Sequence, residues 1–430
     1  MGKYDGKKLL VLGSNVGATD IVKYAKENGA FVIVADYYPK ERSEAKRYAD
    51  QDVLVSTADL TALNNLIKEQ AIDGVLSGIS EFNLLKAMEL CRMNGLPFYC
   101  SREQWDLVES KDLFRGLCEK TGVPCPKTYF TGTEIPERLW QTFQYPLVLK
   151  PVDAAASAGV FICHTEAELR THVQDARSQS SKGNIIIEEF ISGNEFTAHY
   201  TISGGKAALA CIDNRYPVAL HAGDVTTIPI ARIYPSVFAA DYIDKINASV
   251  VRMCEQIGVQ DAILFVQGIH NPETGVYRIF EAGLRSAGEA PFRLLKEITG
   301  DTFIRILVDH ALLNGSDYNV AIEQPLLQGK CGGIVSFAGH HGTVGRITGL
   351  DQLDQPALGI LNYENRYPEG REVPDTDTLR QLMIRFVMLC NDRDTLANSI
   401  AVINNTVRVT NSSGQSMIEV FDPDRLYGEV

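Results

Sequence analysis

A chain of 430 residues with 45% hydrophobic and 22% charged side chains is long enough for two or three domains with ordinary buried cores. No apolar run reaches the length of a membrane span, and the opening MGKYDGKKLLVLGS lacks a signal-peptide pattern, so a cytoplasmic protein with no membrane partner is expected. A net charge of −13 argues against a nucleic-acid partner, which needs a basic face.

Residues 8–105 alternate strand and helix signals. Lys8 to Leu12, Phe31 to Ala35, Asp52 to Ser56 and Gly74 to Ser77 read as strands, with amphipathic stretches such as Ile21 to Asn28 between them. That alternation predicts a doubly wound parallel sheet. A helix opens at Ser110 and closes at Gly122, and Val123-Pro124-Cys125-Pro126 leads stiffly into a new unit. Strand signals follow at Leu147–Leu149, Val160–Cys163, Ile185–Glu188 and Glu195–Thr201, and Ser203-Gly204-Gly205-Lys206 reads as a hairpin turn. A helix covers 240–257, and two strands flank Asn271-Pro272-Glu273-Thr274-Gly275. From 326 short Gly-punctuated strands precede a helix near 376–390, which suggests a small α+β domain. The nine cysteines are scattered and never spaced CxxC, as expected for reduced core thiols.

Three stretches carry chemistry. In YPLVLKPVDAAASAGV, Lys150 ends a strand and a loop of very small side chains follows, through Ser157 and Gly159. Such a loop lets backbone N–H groups approach a phosphate while the lysine supplies charge. In NIIIEEFISGNEF, a strand ends at Glu188-Glu189, turns through Ser192-Gly193 and restarts at Glu195, a shape that presents backbone groups to a base and a carboxylate to a ribose. In the third, Gln267 interrupts the apolar strand Ala262 to Ile269 and Glu281 ends the returning strand; a five-residue loop places Gln267 opposite Ile279, on one face with Glu281. Those oxygens suit magnesium, and Arg285 follows four residues on. Each stretch alone also fits a plainer account: a surface lysine lying along the chain, solvated strand-end acids, and a hydrogen-bonded glutamine beside a Glu281–Arg285 pair.

Together and in this order, the three stretches resemble the ATP-grasp superfamily, in its carboxylate–amine ligase and carbamoyl-phosphate-synthase-like branch, over about residues 8 to 325. The resemblance implies an ATP-grasp fold, α/β and α+β: a Rossmann-like domain at 1–105, an ATP-grasp domain at 106–325 with a lid at about 127–190, and a small C-terminal α+β domain at 326–430. It implies ATP and Mg2+, with Mn2+ as a substitute. By resemblance Lys111 and Lys150 hold phosphates, Ser157 and Gly159 belong to the lid loop, and Glu188, Glu189, Phe190 and Ile191 form the hinge that reads adenine. Glu195 binds ribose, Gln267 and Glu281 bind metal, and Arg285 with Lys150 stabilises the transferring phosphoryl group. The sequence departs from the family pattern at Gly283, where a metal-binding asparagine is usual.

The resemblance implies that ATP activates a carboxylate as an acyl phosphate for attack by an amine or a similar nucleophile, with small-molecule substrates and a homodimer as the family expectation. Arg215, His221 and Glu81 are the candidate substrate contacts. The other readings are carboxyphosphate chemistry of the carbamoyl-phosphate-synthase kind, a non-catalytic ATP sensor, and an NAD-dependent oxidoreductase. The last rests on Gly13-Ser14-Asn15-Val16-Gly17 and Asp36, a poor match to GxGxxG.

Overall fold

A computed structural model describes residues 2–153, 159–218, 220, 228–376 and 378–427. Its first sheet is parallel, in the order Gln51–Leu54, Phe31–Asp36, Lys8–Leu12, Gly74–Ser77. Leu9, Val11, Val32 and Val34 pack with Ile21, Val22 and Ala25. Their neighbours Leu10, Leu12, Ile33 and Ala35 pack with Leu63, Ile67 and Leu90. Both faces are covered by helices, which is why these strands are apolar throughout rather than alternating.

Lys46 is fully buried here and donates to the carbonyls of Asp36, Tyr38 and Val53 at 2.8, 2.7 and 2.9 Å. It ties the ends of two neighbouring strands together. Lys46→Met strands three carbonyls without a donor and is expected to cost about 3 kcal/mol of stability, read by urea denaturation.

A second, antiparallel sheet runs Thr128–Gly132, Ile185–Glu189, Leu147–Pro151, Phe161–Cys163. Leu147, Leu149, Ile185 and Ile187 pack on Leu169, Val173 and Ala176 of the helix Glu166–Ser178. By the two-residue repeat of a strand, Lys150 and Glu188 therefore face the other way.

The central sheet runs Lys206–Ile212, Asn194–Ser203, Ala262–Asn271, Val276–Gly283. Its first hairpin turns on Gly204 and Gly205, with φ of 56° and 73°, the left-handed pair that a two-residue turn needs. Ala198, Tyr200, Leu264 and Val266 join one core with Val250, Met253 and Cys254 of the helix Ala248–Ile257. Thr197, His199, Phe265 and Gln267 alternate with them along the strands. The expected 240–257 helix is present, broken by a π-helical turn at Ile243–Asn247.

The last large sheet runs Asn214–Val218, Ile228–Tyr234, Cys331–Gly339, Leu382–Cys390, Ile360–Asn365. The expected boundary at 325/326 runs through this sheet, because two of its strands come from 214–234. The helix expected near 376–390 is not there: Leu382–Cys390 is a strand inside the sheet, and the helix is Arg393–Thr406. LMIRFVMLC is apolar almost without interruption, and such a run fits a buried strand as well as a buried helix.

Candidate functional site

The expected magnesium pair is the best-defined feature. Gln267 lies directly opposite Glu281, not opposite Ile279. A bulge shifts the register between Gln267 and Gly268, so Gly268 faces Ile279 and Phe280 is the extra residue. The bulge moves the pairing while leaving both oxygen donors on one face. Gly283 pairs with Phe265, and a β-carbon at 283 would collide with the Phe265 ring. The place of the family asparagine is thus filled by an aromatic ring, and Arg285 stacks over that ring at 5.0 Å.

Lys111 begins the helix Lys111–Thr121 and reaches the carbonyl of Val152 at 2.6 Å, two residues beyond Lys150. Burial pushes the Lys111 ammonium below the usual lysine range, and the neighbouring Lys150 pushes it further; Glu281, Glu188 and Asp153 pull the other way. One turn along the same helix, Arg115 donates to Glu188 Oε1 at 2.8 and 2.5 Å, while Lys150 pairs with Glu188 Oε2 at 2.5 Å. Glu188 is 2% exposed. Burial opposes its ionisation, but the Lys150 and Arg115 cations outweigh that and hold its carboxyl below the ordinary range. Arg115 also donates to the carbonyls of Ile279 and Phe280 at 3.2 and 3.4 Å, so it links the second sheet to the bulge of the central one.

Glu281 is exposed to solvent, with protein packed closely around its carboxyl. Burial raises its carboxyl pKa, with Glu81 adding to the rise and Arg285, Lys111 and Lys150 opposing it. The charges of Lys111, Lys150 and Arg285 thus all act on Glu281, opposite Gln267, where Arg115 ties the second sheet to the central one.

The hinge is held by its neighbours. The Glu189 N–H bonds the Lys127 carbonyl at 2.9 Å, and its carboxylate accepts from Lys127 N and Arg278 Nε at 3.0 and 2.8 Å. Phe190 N–H reaches the Pro146 carbonyl at 3.4 Å. Gly193, at φ 142°, passes so close to the His270 carbonyl that no side chain fits. Glu195 and Arg215, expected to touch ribose and acceptor separately, pair with each other. Gly159 turns at φ 70° beside Pro151 and Gln179. Ser157 and His221 lie outside the described residues.

Glu81 comes from the N-terminal region and pairs with Arg285 at 2.5 Å. Glu109, which nothing in the sequence singled out, ends the helix Arg102–Glu109. Burial pushes its carboxyl up to about 8, helped by Glu81 and Glu281 and opposed by Arg285 and Lys111.

On the same face of the central sheet as Gln267, Arg232 Nη1 reaches Thr197 Oγ1 at 2.7 Å, Asp213 at 2.8 Å and Glu289 at 3.5 Å, and His199 Nε2 meets Glu289 at 2.9 Å. His199, Asp213 and Glu289 could offer three ligand atoms to a metal, but the Arg232 guanidinium already supplies their positive charge. Thr197 faces Gln267 in the sheet, so this cluster braces the strand that carries the expected metal ligand.

The N-terminal turn does not suit a dinucleotide. Asn15 Oδ1 accepts from the Ile79 N–H at 3.0 Å, and the Asn83 amide lies against Gly13. Side chains occupy the mouth where a pyrophosphate needs bare backbone.

A parallel sheet followed by antiparallel sheets, two of them tied together through Arg115, sets the fold class. Within that class the chain has the ATP-grasp fold, and residues 143–290 match the family model of the ATP-grasp domain. The N-terminal section of the carbamoyl phosphate synthase large chain of Methanopyrus kandleri is 23% identical over 71% of this chain. The chain spans 57% of that relative's length. The biotin carboxylase domain of Hydrogenobacter thermophilus 2-oxoglutarate carboxylase, solved with MgADP and bicarbonate, superposes with a TM-score of 0.77 at 16% identity, covering 96% of this chain and 91% of that one. An L-amino acid ligase from Bacillus licheniformis gives 0.75 at 16% identity, covering 95% and 99%. Among the described residues no helix is long and apolar enough to cross a membrane.

Proposed function

We propose that this chain is an ATP-dependent ligase that converts a small carboxylate into an acyl phosphate and passes the acyl group to an amine, releasing ADP and phosphate. What supports the reading is that Lys111, Lys150 and Arg285 all act on the Glu281 carboxyl opposite Gln267, while Arg115 joins the Lys150–Glu188 bridge to the bulge beside it. A carboxylate is a poor electrophile because its oxygen is a poor leaving group, and phosphorylation replaces it with a good one.

In this reading Lys111 and Lys150 neutralise the phosphates and Ile191 meets the adenine edge. Arg285, held between Glu81 and the Phe265 ring, orients the acid and steadies the transferring phosphoryl group. Gln267 and Glu281 fit one magnesium, which would neutralise phosphate charge when bound. Position 283 gives no third ligand, and the Phe265 ring leaves no room for one, so a single protein-held metal is the reading. Arg215 and Glu195 border the acceptor side as an ion pair.

The test pairs calorimetry with turnover. The protein should bind ATP in the presence of magnesium, and ADP release should appear only when one acid and one amine are supplied together. ATP binding with no ADP release across amino acids, small acids and amines would favour the sensor reading. ADP release driven by bicarbonate alone would favour carboxyphosphate chemistry.

A further inference from the structure

The sheet that carries Leu382–Cys390 has two different faces. Val335, Phe386 and Met388 pack on Leu396, Ile400 and Ile403 of the helix Arg393–Thr406. Ile334 and Val387 belong instead to the core around the central sheet. Arg385 alternates with the first set along its strand, so it is turned toward the central region. Across the ladder it meets Ser336 and Glu364, and Arg232 lies on the same face, opposite Ile334. There Arg385 Nη2 donates to the Gly288 carbonyl at 3.1 Å, next in sequence to Glu289 of the Arg232 cluster. Arg285 Nη1 donates to the Ser286 carbonyl at 3.2 Å. The two arginines thus hold carbonyls two residues apart, a span of at most about 7 Å along the chain.

Arg385 is short of partners. Neither its Nε nor its Nη1 makes a hydrogen bond, the Nε is buried, and among the described residues no carboxylate pairs with it. The acids that act on it are taken: Glu364 by Arg293 at 2.7 Å, and Glu289 by His199 at 2.9 Å and Arg232 at 3.5 Å. A cation in such a place is normally paired. Burial pushes the guanidinium down to about 10, with Arg366 adding to the fall and Glu364, Glu289 and Tyr234 opposing it, so it stays cationic at neutral pH. Two more polar groups share its face by the two-residue repeat, the Asn362 side-chain oxygen and the Tyr234 hydroxyl, and both are buried without a partner. Three orphaned polar groups on one face suit a polar ligand. The Arg385 side chain keeps some exposure, so that ligand has a way in.

We propose that Arg385 receives a substrate carboxylate remote from the reacting atoms, so that the favoured acid or acceptor carries a second acid group. This rests on the ligase reading above. Arg285 orients the carboxylate that is phosphorylated, and Arg385 holds the far end of the same molecule or the carboxylate of its acceptor. The planar fork of a guanidinium matches a carboxylate, and the anion supplies the acceptor that Nε lacks. An uncharged counterpart leaves the buried cation unpaired.

The experiment uses matched pairs that differ only in the second acid group. Succinate and glutarate stand beside their half-amides as the acid, and glycine and alanine beside glycinamide and alaninamide as the acceptor. ADP release with ATP and magnesium is measured in the wild type, Arg385→Met and Arg385→Lys. For the pair that Arg385 reads, the ratio of kcat/KM between the anionic and the neutral member should fall about 10²-fold in Arg385→Met, through KM, and recover in part in Arg385→Lys. Whether the diacids or the amino acids respond identifies the source of the carboxylate. If Arg385 only braces the Gly288 carbonyl, both members of each pair lose alike, and an unchanged ratio overturns the proposal. A wild type indifferent to the second acid group overturns it too. Should Arg385→Met fail to fold, Arg385→Lys carries the comparison, because one ammonium cannot reproduce the fork; its ratio should fall about tenfold. Binding is read apart from turnover, as the rise in melting temperature that each compound gives with ADP and magnesium present. If no pair drives ADP release, the ligase reading falls and the melting shift decides Arg385. A larger shift from the anionic members that is lost in Arg385→Met upholds the site, and an equal or absent shift overturns it.

Discussion

Lys150→Ala is expected to cut ATP-dependent phosphate release by at least about 10²–10³-fold, measured by coupled ADP detection at saturating acid and amine. Lys150 stands at the end of the strand Leu147–Pro151, on the face turned away from the helix Glu166–Ser178. Its ammonium is fixed by Glu188 before any nucleotide arrives, so it acts as a preorganised charge rather than one recruited from solvent. The fold should survive the change, because Arg115 continues to neutralise Glu188. The variant should melt close to the wild type while binding ATP more weakly in the calorimeter. Undiminished turnover would remove Lys150 from the phosphate site.

Arg232→Met is expected to cost about 3–5 kcal/mol of folding stability, read by chemical denaturation. Arg232 is 7% exposed, and Asp213 and Glu289 are as deeply buried. The loss comes less from the missing attraction than from an Asp213 carboxylate left without a cation and a Glu289 carboxylate left with His199 alone. Burial already raises the Asp213 carboxyl in spite of Arg232, whereas at Glu289 the pull of Arg232 and His199 overcomes burial and keeps the carboxyl low. Adding Asp213→Asn to the variant should restore part of the loss by removing one stranded charge. A cost below about 1 kcal/mol would mean that water reaches the cluster and shares its charge.

Much of the fold was legible because strands covered on both faces leave plain apolar runs. Lys8 to Leu12 and Phe31 to Asp36 end at Gly13 and Asp36, and the structure ends them there. The antiparallel hairpins were legible for another reason: Gly204-Gly205 and Thr274-Gly275 mark their turns. What failed needed information from far along the chain. Nothing local in Asn214–Val218 or Ile228–Tyr234 says that these strands join the sheet of Cys331–Gly339, about a hundred residues on. The strand Leu382–Cys390 passed for a helix because its neighbours, not its own sequence, decide its form.

The site shows the same division. Lys111, Lys150, Gln267, Glu281 and Arg285 are candidates from their order, by resemblance. Arg115 was missed, although its position one turn after Lys111 was a usable signal. Glu109 could not be found, because a glutamate at a helix end is ordinary until the field around it is known. The bulge at Phe280 was invisible because inserting one residue leaves the alternation on either side intact.

The ring of Phe265 against the bare backbone of Gly283 also constrains how this lineage could change. A lone Gly283→Asn exchange drives the new side chain into the ring, and a lone Phe265→Ala exchange opens a hole and takes the stacking surface from beneath Arg285. A third oxygen donor beside Gln267 and Glu281 is thus reached only through an intermediate that is worse than either end, so the two positions are bound to evolve as a pair.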